Sequence, residues 1–135
     1  MTQIYLPNAE QMNTLIDLLD KRIVVIASVS GVSVAAGAST QVINPQDISK
    51  YPIQFITTFA NAGHDYHVEF FYRTSLDVEN TFGVNTTEAN AIYKSSGKIR
   101  GASEWVDAKG GMLKVNIRNN DTVDHTYDLV LYGVR

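Results

Sequence analysis

The hydrophobic pattern of this chain changes period once, at Lys21-Arg22. Before that point Met12, Leu15, Ile16 and Leu19 recur at helical spacing, with Leu18 widening the stripe. Glu10, Asn13, Asp17 and Lys21 occupy the wetter positions between them. Such a pattern predicts one short amphipathic helix. Asn8 is a suitable N-cap with Gln11 three residues later, and Pro7 ends an extended segment from Thr2 to Leu6. The stripe can pack on its own domain. Alternatively it makes residues 1–21 an attachment and oligomerisation segment.

After Arg22 the period shortens to two. In "KRIVVIASVSGVSVAAGAS", Val24, Ile26 and Ser28 share one face of a strand and Val25, Ala27 and Val29 the other. Val32 and Val34 resume after Ser30-Gly31, so the run predicts a β-hairpin with its turn there. The same run, small and apolar behind two basic residues, resembles an export signal. It follows about twenty residues of patterned chain, and its serines interrupt any membrane span. The hairpin is the better reading.

Further strands are predicted at Gln41 to Ile43, closed by Asn44-Pro45, and at Ile53 to Phe59, followed by a loop at Asn61-Ala62-Gly63. Tyr66 to Arg73 alternates, with Tyr66, Val68, Phe70 and Tyr72 on one face and His67, Glu69, Phe71 and Arg73 on the other. Residues 74–91, rich in Thr, Asn and Ser, give no clear element. Two short strands flank Ser96-Gly97: Ala91 to Tyr93 and Lys98 to Arg100. Leu113, Val115 and Ile117 face inward beyond the Gly110-Gly111 turn, and Asn119-Asn120-Asp121 turns the chain again. Tyr127 to Val134 is apolar on both faces, which places it inside a sheet. Residues 22–135 therefore read as an all-β domain, an antiparallel β-sandwich (jelly-roll or Ig-like) of about eight strands.

Composition narrows the function classes. The 135 residues suit one domain with a sizeable core. A net charge of −3 without a basic block argues against nucleic-acid binding. The absence of cysteine excludes disulfides, thiolate metal sites and cysteine nucleophiles.

Candidate chemistry is sparse. His64 and His67 fall on opposite faces of a strand and His125 lies in a distant turn, so no metal site is expected. Neither Ser33 nor Ser103 sits in a nucleophile elbow, and no phosphate-cradling loop surrounds Gly97-Lys98. Asp77 with Glu79 is a carboxylate pair of the kind common on solvent-facing strands. Asn119 to Asp124 offers oxygens to calcium, yet lacks the spacing of an EF-hand loop and reads better as turn chemistry. No cofactor is expected. Trp105 is either a core anchor, the commoner fate of a lone tryptophan, or a glycan contact flanked by exposed tyrosines.

The C-terminal segment "GASEWVDAKGGMLKVNIRNNDTVDHTYDLVLYGVR" and the opening "MTQIYLPNAEQMNTLIDLLDKRI" resemble small β-sandwich structural proteins of tailed-bacteriophage virions. Capsid decoration proteins, head fibres and tail-associated domains belong to that group. The resemblance covers about half the chain and brings no catalytic motif. It implies a non-enzymatic virion protein assembled in the bacterial host cytoplasm. Its partners would be itself, as a homo-oligomer and most plausibly a trimer, and other virion proteins. Met12, Leu15, Ile16 and Leu19 would then be the docking residues. The competing expectation is a carbohydrate-binding module of a phage tail or baseplate that contacts host-surface glycans through Trp105. A hydrolase with a fold-assembled site is a third class. No membrane and no nucleic acid figures among the partners.

Overall fold

The computed structural model describes residues 22–73, 81–84 and 91–135. The helix expected around Met12, Leu15, Ile16 and Leu19 lies outside them, as does the pair Asp77 and Glu79. Within them the chain is all-β and antiparallel. The strands are β1 (Ile23–Val34), β2 (Ser39–Asp47), β3 (Ile53–Arg73), β4 (Thr81–Val84), β5 (Tyr93–Ala102), β6 (Val106–Asp107), β7 (Met112–Asn119) and β8 (His125–Val134).

One strand organises the rest. β3 runs for 21 residues and pairs along one edge with β8, from Ile53 to Ala60, and then with β7, from Tyr66 to Arg73. Its other edge takes β6, β5 and β4 in turn. β1 joins the far side of β8, and β2 the far side of β7. The two ends of β3 thus carry different neighbours yet bury the same parity of residues: Ile56 and Ala60 from the first, Tyr66, Val68, Phe70 and Tyr72 from the second. Leu113, Val115 and Ile117 of β7 and Tyr127, Leu129 and Leu131 of β8 close over them, so all belong to one core. Each large side chain removed from water there contributes roughly 1.5–3 kcal/mol. β8 lies between β1 and β3, as its two apolar faces predicted.

Four predicted interruptions are absent, and register shifts accompany them. Residues 23–34 form one strand and not a hairpin: β1 pairs with β8 throughout, with register shifts between Val25 and Ala27 and between Val29 and Val32. Ser30 and Gly31 together stand opposite the single Asp128, so the ladder carries one extra residue there. Gly31 takes φ +65°, its N–H donates to Asp128 Oδ1 at 2.7 Å, and the Ser30 hydroxyl donates to the same oxygen at 3.0 Å. The insertion changes parity, so Ala27 and Val29 before it and Val32 and Val34 after it all pack on the core. The shift at Ile26 leaves Val25 exposed, away from the face of Ala27 and Val29. Similarly, Ser96-Gly97 does not separate two strands but lies inside β5, with Gly97 at φ +75°. Asn44-Pro45 does not close β2; proline is tolerated because β2 ends the strand order.

The fourth interruption, Asn61-Ala62-Gly63, was expected as a loop. It is instead an unbroken part of β3, held where two register shifts in β5 meet it. A Cβ on Gly63 would stand 2.4 Å from the carbonyl oxygen of Gly97, so this crossing admits only glycine.

Buried polar groups hold the same region to β8. His125, expected in a distant turn, stacks on His64 with ring centroids 3.5 Å apart and planes at 5°. Asn61 Oδ1 accepts from the Thr126 N–H at 3.3 Å and from His125 Nδ1 at 2.8 Å. His125 Nε2 donates to Asp121 Oδ2 at 2.7 Å. A His125 ring carrying both protons satisfies both acceptors. His64 Nδ1 donates to the Ala62 carbonyl at 2.8 Å, which leaves Nε2 to accept from the Tyr127 hydroxyl. Neutral His64 therefore fits its site. Burial lowers its pKa from the usual 6.5, and a charged His125 adds to that, against the opposing bond to Ala62.

Two predictions test this frame. Gly63→Ala should reduce the unfolding free energy by about 2 kcal/mol, as for other overpacked sites. Gly31→Ala meets no atom within 4 Å and should cost only about 1 kcal/mol, from its left-handed φ. Urea unfolding of the two variants decides; an equal or smaller loss at Gly63 would mean the crossing does not constrain the fold. The second concerns pH. Because the folded state lowers the pKa of His64, its contribution is complete above about pH 6.5 and is lost as pH falls through the lowered value. Asp121 is also lowered, chiefly by the His125 bond, and works in the same direction nearer pH 4. The melting temperature should fall from neutral pH to about pH 5, and His64→Gln should flatten that slope. An unchanged slope in the variant would remove His64 from the explanation.

Candidate functional site

Trp105 is not a core anchor. It is 58% exposed, and the reason lies in the residues beside it. Ser103 is buried and clamps the chain to β3: its N–H donates to the Ile56 carbonyl at 2.8 Å, and its Oγ accepts from the Ile56 N–H at 2.9 Å. Val106 and Asp107 pair with Gln54 and Ile53, and the Ala108 N–H reaches the Pro52 carbonyl at 2.8 Å. Residues 103–108 thus form an arch fastened to β3 at both ends. Trp105 sits at its middle, on the outer side of the sheet.

There its ring stacks on Phe55, centroids 5.8 Å apart and planes at 7°. Phe55 in turn stacks on Tyr132, at 4.7 Å and 12°. Tyr132 pairs with both Phe55 of β3 and Val25 of β1, so the row Val25, Tyr132, Phe55, Trp105 crosses the sheet at right angles to its strands. Beneath it, buried Gln54 donates to the Tyr51 carbonyl and accepts from the Tyr72 hydroxyl at 2.8 Å. On its other flank Trp105 borders a cleft of about 500 Å³, lined also by Tyr93, Lys94, Glu104, Asp107 and Lys109. An apolar ladder of nearly parallel rings therefore adjoins a strongly polar cleft. Flat apolar faces rimmed by hydrogen-bonding groups suit ligands that are themselves apolar on one face and hydroxylated at the edge.

The remaining candidates are absorbed by the fold. Asn119 to Asp124 acts as turn chemistry. Asn119 Nδ2 donates to the Val34 and Val123 carbonyls and its Oδ1 accepts from the Asp121 N–H, while Asp124 accepts from the Ala36 N–H. Among the described residues no group of three His, Asp or Glu is placed to hold a metal ion. Ser39, His67 and Glu69 do come together, but Ser39 donates to Glu69 at 2.7 Å and not to the histidine. His67 Nε2 lies 3.7 Å from the other carboxylate oxygen. The carboxylate stands where a nucleophile's base would have to be. Neither Phe55 nor Tyr132 was singled out as a site residue from the sequence; the available signal was the alternation of Ile53 to Phe59, whose odd positions Phe55 and Phe59 share one face.

No protein-family model and no curated protein matches this sequence. Among solved structures, the chain is similar to a carbohydrate-binding module of Cellvibrio mixtus lichenase 5A in complex with cellotriose. The two share 13% identity at a TM-score of 0.46 over 83% of this chain and 100% of that one. At that level the likeness carries no argument about function.

Proposed function

We propose that the protein is a non-enzymatic glycan-binding module, with the two halves that share β3 forming the layers of a jelly-roll or Ig-like β-sandwich. The observation that carries the reading is the stacked ladder of exposed Trp105 with half-buried Phe55 and Tyr132 beside its polar cleft. A tryptophan held more than half exposed by two backbone clamps is positioned for contact and not for packing. The ladder gives sugar C–H faces an apolar floor. The carboxylates and amines of the cleft, with the Tyr93 hydroxyl, supply donors and acceptors for ring hydroxyls.

The setting we propose is the surface of a tailed-phage virion, where a module of this kind decorates the capsid or forms a fibre-like projection and meets host-surface glycans. The N-terminal stripe Met12, Leu15, Ile16 and Leu19 would dock it or join copies into a homo-oligomer, most plausibly a trimer. In favour of self-association, β1 ends the strand order directly after that stripe, with Ile23 and Val25 exposed. Symmetric copies would multiply both weak docking and weak glycan contact.

Titration of the intact protein with host-surface glycans should shift Trp105 emission to the blue. Trp105→Ala should weaken binding by about tenfold or more while leaving the far-UV spectrum unchanged. Emission that ignores every glycan would overturn the glycan reading. For assembly, light scattering should show an oligomer that Leu15→Asp with Leu19→Asp dissociates. A wild-type monomer would overturn self-association and leave docking on a shell as the role of the stripe.

A further inference from the structure

The exposed outer face continues beyond the aromatic ladder. Two and four residues from Phe55, Thr57 and Phe59 project on the same side of β3, and in β8 Val130 and Asp128 follow Tyr132 in the same way. Thr57 pairs with Val130, and Phe59 lies between Asp128 on one neighbouring strand and Arg100 on the other. With Ser28 these residues line a groove of about 590 Å³. The Arg100 guanidinium stands 5.0 Å from the Phe59 ring centroid, which orients its donors over the groove. Asp128 uses one oxygen for both the Ser30 and Gly31 bonds, so its carboxylate retains acceptor capacity.

We infer that this groove is a second sugar subsite, and that the ligand is a linear oligosaccharide lying along β3 from Trp105 to Arg100. The inference rests on the glycan-binding reading of the ladder. Phe55 and Phe59 are four residues apart in an extended strand, about 13 Å, more than a single pyranose ring can touch. Between them run hydroxyl groups, Thr57 and Ser28, and beyond them a carboxylate and a guanidinium flank the second ring. Like the first subsite, the groove joins an apolar floor to a carboxylate acceptor and a cationic donor. Filling the second subsite with a chain already seated on the first is intramolecular, so affinity should climb with length until both are occupied.

Isothermal titration of the intact protein with cello-, N-acetylglucosamine and galacturonate oligosaccharides, from disaccharide to hexasaccharide, tests the length dependence. In a series that binds, the hexasaccharide should bind at least about tenfold tighter than the disaccharide. Phe59→Ala combined with Arg100→Gln should remove that gain and leave disaccharide affinity unchanged. Phe59 is 41% exposed and outside the core, so the double variant should fold; Arg100→Gln alone serves if it does not. If affinity does not grow with length, or the gain survives these substitutions, the second subsite is wrong and the ladder reading stands. If no series binds, or Trp105→Ala binds like the wild type, the ladder reading fails and this inference fails with it.

Discussion

The carbonyl of Gly97 comes so close to Gly63 that no side chain fits between them, and the architecture follows from that contact. Beside that contact β3 changes neighbours without ending, so one strand serves β8 up to Ala60 and β7 from Tyr66. A loop there would have released the two halves from a common register. The unbroken strand instead fixes which residues of each half face the core, because side chains alternate along it. The outer face inherits the same order. Phe55, Thr57 and Phe59 line up outside for the reason that Gln54, Ile56 and Thr58 line up inside.

This middle part of β3 is also where the polar interior concentrates. Thr58 and Tyr66 share a 2.7 Å hydrogen bond across it, and burial pushes the Tyr66 hydroxyl up to about 12. His64, His125, Tyr127 and Asn61 join β3 to the start of β8. Groups of this kind are costly to bury singly and acceptable as a connected set. Their directional bonds select one register where apolar packing alone would tolerate several.

Much of the fold was legible in the sequence wherever alternation was clean. Tyr66 to Tyr72 and Leu113 to Ile117 face the core as their period of two indicated, and β8 lies inside the strand order as its two apolar faces indicated. Errors arose at glycine and asparagine. Ser30-Gly31, Asn61 to Gly63 and Ser96-Gly97 carry the composition of turns, and locally a bulge and a turn ask for the same residues. Only the partner strand distinguishes them: Asp128, remote in sequence, receives the Ser30 and Gly31 donors. The site was half legible. Trp105 was a candidate from its type alone, whereas its exposure depends on Ser103 finding Ile56, a contact between residues 47 apart. Phe55 and Tyr132 became site residues only through cross-strand pairing.

The arch that presents Trp105 is tied to β3 through the main chain, save for the Ser103 hydroxyl. Main-chain bonds do not read side chains. Glu104, Trp105 and Asp107 are all exposed, and the described hydrogen bonds that fasten the arch use none of their side chains. The side chains that this segment presents to solvent are therefore uncoupled from the bonds that hold it to the scaffold. Substitution in this short segment can retarget the surface while the core sequence stays fixed, much as variable loops do on other rigid frameworks.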